Sequence, residues 1–192
     1  SLGLVVAGER SRYDFFRDRI MLPVFDRQKR PIGYSSRLLD PEAKERKYVN
    51  SPDSPLFHKK KSLYGLPQAL DSIRRQGTAI VVEGNFDVLS LHQAGIASAV
   101  APMGTALTTE QVNEVGRLAD KVVVVFDGDE AGQKAARKSV SLFLESDVDG
   151  RVARMPAGQD PDDFVRKQGG EAFRRLCENA MPMMEAFIDD LA

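Results

Sequence analysis

Apolar runs alternate with amphipathic stretches through the second half of the chain. The clearest run covers residues 122–126, where four valines and a phenylalanine follow one another without a polar break. Such a run is typical of a strand buried on both faces, as in a parallel sheet covered by helices. Similar runs predict strands at residues 78–82, 96–101 and 151–155. Strands that alternate with helices indicate an α/β protein whose parallel strands are joined by right-handed crossovers.

The intervening helices are predicted from their periodicity and their end signals. They are expected at residues 67–76, 85–94, 108–119 and 130–145, after residues 158–163, and from residue 171 to the end. The sequence T-T-E-Q at 108–111 fits a capping box. Gly95 fits the left-handed position that follows a helix.

The first third of the chain has a different pattern. Residues 20–25 and 31–39 are typical of strands, and the polar turn between them predicts a hairpin. Pro23 indicates an edge strand or a bulge, because proline cannot donate to a ladder. Residues 40–47 are expected to form a charged loop.

The composition is that of an ordinary globular protein of 192 residues, with 42% hydrophobic and 29% charged residues. No apolar run approaches the length of a membrane span and no signal-peptide pattern is present, so no membrane partner is expected. The single cysteine, Cys177, suits a reducing cytoplasm and is predicted to be a buried structural thiol. His58 and His92 lie far apart, so zinc-ligand spacing is absent.

Charge is distributed unevenly along the chain. Residues 1–80 hold 16 Lys and Arg against 9 Asp and Glu, whereas the remainder holds 11 against 19. This asymmetry indicates one surface for polyanions and another for a metal, although chance unevenness would give the same counts. Lysines and aromatic residues interleave between residues 47 and 66, as suits a phosphate-bearing strand. From spacing alone, a solvated loop is the favoured explanation of the triple lysine at 59–61.

Acidic residues follow three of the predicted strands. The set consists of Glu83, Asp87, Asp127, Asp129, Asp160 and Asp162. Parallel strands bring their carboxyl ends to one edge of the sheet, where like charges repel unless a cation neutralises them. A set of oxygen ligands favours Mg²⁺ or Mn²⁺ over zinc. Taken alone, D-G-D at 127–129 is explained about equally well by Asp129 capping the next helix and Asp127 starting a turn.

Several ordered motifs carry a resemblance to a known family. E-G-N-F-D-V at 83–88, G-T-A-L-T at 104–108, F-D-G-D-E-A-G at 126–132 and D-P-D at 160–162 resemble the Toprim module of primases, topoisomerases and some nucleases. K-Y-V-N-S-P at 47–52, F-H-K-K-K-S-L-Y-G-L at 57–66 and I-G-Y-S-S-R at 32–37 are similar to the DnaG-type bacterial replicative primases. One departure is Asn85-Phe86, where the family commonly has Tyr-Met. A P-loop motif is absent.

The resemblance implies an α/β Toprim fold, which is a Rossmann-like parallel sheet flanked by helices. It would be preceded by part of a mixed α+β subdomain and followed by C-terminal helices. The implied division is residues 1–76 for the basic N-terminal subdomain, 77–168 for the metal-binding Toprim domain and 169–192 for the start of a helical subdomain. The family's zinc-binding domain would lie upstream, its helicase-binding domain downstream, and neither is contained in these residues.

The resemblance also implies an activity, which is the copying of single-stranded DNA into a short RNA primer from ribonucleoside triphosphates. Glu83, Asp127 and Asp129 would be catalytic and would hold Mg²⁺, which Mn²⁺ could replace, while Asp87, Asp160 and Asp162 complete the metal cluster. Glu83 as general base remains an alternative. The implied nucleotide and DNA contacts are Arg37, Lys47, Asn50, Lys59, Lys60 and Lys61. The replicative helicase would bind through the absent domain, zinc would belong only to the absent zinc domain, and this fragment alone would be weakly active or inactive.

Two other functions are considered. A Toprim nuclease or topoisomerase shares the acidic module, but strand transfer by a topoisomerase needs a tyrosine nucleophile. All four tyrosines, Tyr13, Tyr34, Tyr48 and Tyr64, precede the acidic module in hairpin or loop segments. A non-catalytic module that binds nucleic acid through its basic half would bind no divalent ion at the acidic edge.

Overall fold

The N-terminal part of the chain forms two small antiparallel sheets. In the computed structural model, which describes residues 3–8 and 11–189, the strands are β1 (Val5–Ala7), β2 (Arg12–Asp14), β3 (Arg19–Phe25), β4 (Pro31–Leu38) and β5 (Tyr48–Asn50). β1 pairs with β2, and β3, β4 and β5 form a sheet in that order. The predicted hairpin is therefore confirmed. Pro23 lies on the edge strand β3, beside a register shift at Val24/Phe25.

The rest of the chain alternates strands with helices. In order, these are β6 (Leu63–Tyr64), α1 (Leu66–Gln76), β7 (Thr78–Val81), α2 (Asn85–Gln93), β8 (Ala99–Pro102), α3 (Thr109–Gly116), β9 (Lys121–Phe126), α4 (Glu130–Leu144), β10 (Asp149–Arg154), α5 (Pro161–Gln168), α6 (Gly170–Glu178), β11 (Met181–Pro182) and α7 (Met183–Asp189). Six strands form one sheet in the order β11-β10-β9-β7-β8-β6. The four inner strands are parallel, as predicted, and β6 and β11 pair antiparallel at the two edges.

Strand β9 is apolar from Val122 to Phe126 because both faces of the sheet are covered. Val123 and Val125 belong to one core with helices α2, α5 and α6, whereas Val122, Val124 and Phe126 belong to the other with α1, α3, α4 and α7. Each fully buried valine contributes about 1.5 kcal/mol or more from the removal of its side chain from water. The N-terminal sheet adds Leu22 and Val24 to the first core, which places β4 and β5 beside the start of α2.

The C-terminal prediction was wrong in one respect. Residues 171 to the end were expected to be continuously helical, but α6 ends at Glu178 with Asn179 as its C-cap. Met181 and Pro182 then pair with Val152 and Arg151 as an edge strand before α7 begins. A two-residue strand has no periodicity of its own, so the pattern could not reveal it. The strand predicted at 96–101 also begins later, at Ala99.

Cys177 is buried on α6, and this burial raises the pKa of its thiol to about 12. The thiol therefore stays protonated at neutral pH, as expected of a structural cysteine. None of the helices in the described ranges is both long and apolar enough to cross a membrane.

Candidate metal and nucleotide site

A cleft of about 530 Å³ lies between the N-terminal sheet and the carboxyl ends of the parallel strands. Five of the six predicted acidic residues line it: Glu83, Asp87, Asp127, Asp160 and Asp162. Arg37, Lys47 and Asn50 line the same cleft from the N-terminal sheet. The structure therefore brings together the acidic and basic groups that the sequence placed on separate halves of the chain.

Glu83 and Asp127 meet because β7 and β9 are neighbours. The Asp127 backbone N–H donates to Oε1 of Glu83 at 3.2 Å. The Oδ1 atom of Asp127 is buried and accepts no hydrogen bond within the described residues. Burial, followed by the charges of Glu83, Asp160 and Asp129, raises the pKa of Asp127 to about 6. Burial is also the main cause of the raised pKa of Glu83.

Gly128 is required by a close approach between two loops. A Cβ at this position would lie 2.0 Å from the carbonyl oxygen of Pro156, in the loop that follows β10. The Gly128 N–H donates to the carbonyl of Gln159 at 3.1 Å, and the Gly158 N–H donates to the carbonyl of Gly128 at 3.0 Å. These bonds hold the loop that contains Asp160 against the end of β9.

Asp87 lies in the first turn of α2 and faces the cleft. Its Oδ2 accepts the Gly84 N–H at 3.0 Å, and the Asp162 backbone N–H also donates to this carboxylate. Burial, then the charges of Asp127 and Asp160, raises the pKa of Asp87 from 3.8 to about 7 despite these bonds. A proton or a cation at this point in the cleft is therefore favourable near neutral pH.

The other three acidic residues also have structural roles. Asp129 caps α4 by accepting the Gly132 N–H at 2.7 Å, and Asp160 caps α5 by accepting the Asp163 N–H at 2.7 Å. Asp162 accepts the hydroxyl of Ser90 and pairs with Arg166 at 2.6 Å. Asp129 is exposed and does not line the cleft, although its charge raises the pKa values of Glu83 and Asp127.

The carboxylate oxygens in the cleft are suitable ligands for a hard cation, but their side chains are not arranged around one common point. Across residues 3–8 and 11–189, no three Asp, Glu, His or Cys side chains are placed to hold a metal ion together. The Oδ1 atom of Asp127 is buried without a partner among the described residues and the pKa of Asp127 is raised, so this position would accommodate a cation. Carboxylate oxygens suit Mg²⁺ or Mn²⁺.

Tyr48, Asn85 and Phe86 line the cleft beside the predicted residues Arg37 and Asn50, but the sequence did not identify them as site residues. Phe86 follows Glu83 closely, and its ring contacts both Arg37 and Tyr48. Asn85 donates through Nδ2 to Ser35 Oγ at 2.8 Å, and Asn50 donates to the carbonyl of Met103 at 2.9 Å. Both amide oxygens are buried without a partner among the described residues. Only their position in the sequence could have identified Asn85 and Phe86, since they begin a helix at the acidic edge of the sheet.

Lys59, Lys60 and Lys61 do not line the cleft. They lie on a turn before β6, with Lys60 and Lys61 exposed. Gln111 is fully buried and donates to the carbonyls of Lys59 and Ser62 at 3.1 and 2.8 Å, so α3 anchors this turn. The three lysines therefore lie outside the cleft that the acidic residues line.

The fold and the site define a class of protein, namely a Toprim-like α/β domain joined to a basic antiparallel sheet. Residues 80–165 match the family model described as Toprim-like, and residues 1–70 match that of the DNA primase catalytic core, N-terminal domain. The chain belongs to the DnaG-type bacterial DNA primases and corresponds to part of their catalytic core.

Curated relatives and solved structures agree with this assignment. The chain is 44% identical to the DNA primase of Clostridium acetobutylicum, over 95% of the chain and 30% of that relative. It is 39% identical to the Escherichia coli DNA primase, over 98% of the chain and 33% of that relative. The chain thus spans about a third of the length of these relatives.

Among solved structures, a Pseudomonas aeruginosa primase domain superposes with a TM-score of 0.92 at 40% identity, covering 99% of this chain and 60% of that one. The E. coli primase catalytic core gives a TM-score of 0.90 at 38% identity, covering 98% and 61%. A DnaG primase catalytic domain bound to ssDNA gives 0.86 at 39% identity, covering 95% and 59%. These comparisons do not favour the nuclease or topoisomerase alternative.

Proposed function

We propose that this chain carries the nucleotidyl-transfer site of a primase, which joins ribonucleoside triphosphates into a short RNA primer on a single-stranded DNA template at the replication fork. The proposal rests on one observation. Glu83, Asp87 and Asp127 line the same cleft as Arg37 and Lys47. An acidic wall facing a basic wall suits a triphosphate bound together with its divalent cations.

Glu83 and Asp127 are the residues that would hold Mg²⁺, with Asp129 beside them and Asp87, Asp160 and Asp162 completing the cluster. When bound, the metal supplies positive charge for the primer 3′-hydroxyl and the pyrophosphate leaving group. Arg37 and Lys47 bind phosphate oxygens from the opposite wall and orient the triphosphate. Lys59, Lys60 and Lys61 contact the template backbone outside the cleft. The replicative helicase would be a partner of regions outside this chain.

Primer synthesis by a full-length primase that contains this core tests the proposal. Asp127→Asn and Asp129→Ala should abolish Mg²⁺-dependent incorporation of ribonucleotides on single-stranded DNA, with circular dichroism unchanged. Asp71→Asn, on the exposed face of α1, is the matched control and should keep full activity. Near-normal synthesis by Asp127→Asn would contradict the assignment. Failure of the parent chain to bind Mn²⁺ in calorimetry would favour a non-catalytic binding module.

A further inference from the structure

Two aromatic rings lie side by side between two cations along the basic wall of the cleft. The Arg37 guanidinium carbon lies 4.9 Å from the centroid of the Phe86 ring. The Phe86 and Tyr48 ring centroids are 6.2 Å apart at an interplanar angle of 53°. The Lys47 ammonium lies 5.7 Å from the Tyr48 centroid. These four side chains, Arg37, Phe86, Tyr48 and Lys47, form a stacked row.

Phe86 is the member of the stacked row that comes from α2 and not from the N-terminal part of the chain. Arg37 and Tyr48 are directly opposite on strands β4 and β5, so their side chains lie together on the N-terminal sheet. Phe86 is the second residue of α2 and is half-buried against the core beneath that helix. The contact therefore links the wall that carries the cations to the helix that carries Asp87.

The aromatic ring leaves the hydrogen-bonding edge of Arg37 available. Within the described residues, the Phe86 ring is the partner recorded for the Arg37 guanidinium, and no carboxylate pairs with it. A guanidinium stacked on a ring keeps its N–H donors in its own plane, where they reach phosphate oxygens two at a time. Packing against Phe86 also limits the rotamers of Arg37 before any ligand arrives, which lowers the entropic cost of binding.

We propose that Phe86 is a positioning residue for the triphosphate substrate: it holds Arg37 and Tyr48 in the stacked row and so sets how tightly the cleft binds the phosphate chain of a ribonucleoside triphosphate. This inference rests on the proposed function. A methionine at this position would contact Tyr48 through its sulfur but would offer Arg37 no aromatic face.

The test compares Phe86→Leu, Phe86→Met and Phe86→Tyr with Phe187→Leu. Phe187 is half-buried on α7 against the opposite core, so Phe187→Leu controls for the loss of a ring of similar burial. Binding of ATP with Mn²⁺ is measured by calorimetry on this chain, and kcat and KM are measured in the full-length primase. Phe86→Leu and Phe86→Met should raise Kd and KM about three- to tenfold with little change in kcat. Phe86→Tyr and Phe187→Leu should stay within about twofold of the parent.

A double-mutant cycle separates positioning from general stability. If Phe86 acts through Arg37, Phe86→Leu should have no further effect on Kd in an Arg37→Ala background. An equal effect of Phe86→Leu in both backgrounds, or an unchanged Kd in the single variants, overturns the inference while leaving the proposed function intact. Absence of ATP binding by the parent chain instead overturns the proposed function and this inference together. If Phe86→Leu does not fold, the same cycle is run with Phe86→Met.

Discussion

The acidic cleft should make the stability of the metal-free protein fall as pH rises, and Asp87 is the main cause. Its folded-state pKa is about 7, against 3.8 for an ordinary aspartate, because of burial and the charges of Asp127 and Asp160. Between these two values the unfolded chain has lost the proton that the folded chain retains. The contribution of Asp87 to the free energy of unfolding is therefore largest below about pH 4. It decreases as the pH rises and is lost above about pH 7.

The size of the effect follows from the shift. About three pKa units at 1.36 kcal/mol each give an upper limit of about 4 kcal/mol for ionising Asp87 in the folded protein. Asp87→Asn removes the ionisation but keeps a side-chain oxygen that accepts the Gly84 N–H. Without divalent metal, the variant should equal the parent near pH 4 and should be more stable by up to about 4 kcal/mol at pH 8.

Urea unfolding in EDTA from pH 4 to pH 8.5 measures this difference. Asp71→Asn, an exposed change on α1, should follow the parent at every pH. Mg²⁺ binds the folded cluster and not the unfolded chain, so adding it at pH 8 should stabilise the folded protein. The parent should gain more than Asp87→Asn, because the variant has no negative charge at position 87. Parallel curves for the parent and Asp87→Asn across this range would refute the reasoning, since ionisation of Asp87 would then cost the fold nothing.

Two further predictions concern the supports of the site. Gln111→Leu should destabilise the protein by about 3 kcal/mol, because two part-buried carbonyls lose their donor. It should also weaken single-stranded DNA binding by loosening the lysine turn. Unchanged urea midpoints and DNA affinity in fluorescence anisotropy would contradict it. Gly128→Ala should lower Tm far more than Gly158→Ala, because the Cβ added at position 128 clashes with the Pro156 carbonyl. A Cβ added at position 158 would have no neighbour within 4 Å, so Gly158→Ala should cost only about 1–2 kcal/mol of backbone strain. Equal Tm losses would show that the loop moves away.

Strands buried on both faces were predictable, and strands defined by their partners were not. The strand at residues 122–126 of β9 was predictable because side chains on both faces of a covered sheet must be apolar. β6 and β11 each contain two residues, and only pairing with β8 and β10 defines them. The division between residues 76 and 77 remains a prediction, although β6 and α1 pack with the parallel sheet.

The acidic side of the cleft could be predicted from the order of strands along the chain. The basic side could be predicted only from the resemblance to the primase family. Any parallel sheet brings residues after β7, β9 and β10 to one edge, so Glu83, Asp127 and Asp160 had to converge. Nothing in the spacing of Arg37 showed that it faces them, because that depends on how the N-terminal sheet packs on α2. The role of Phe86 depends on the same packing, and its position near Glu83 was the only local signal.

The two explanations of the D-G-D motif are compatible. Asp129 uses Oδ1 to cap α4, as the simpler explanation required, and Asp160 uses Oδ1 in the same way on α5. A cap fixes the position of the carboxylate at the N-terminus of the helix. The second oxygen takes no part in the cap bond, so capping orients each carboxylate without consuming it. Asp127 makes no such cap and retains a buried oxygen without a partner among the described residues, so under the proposed function this oxygen is free to bind a cation.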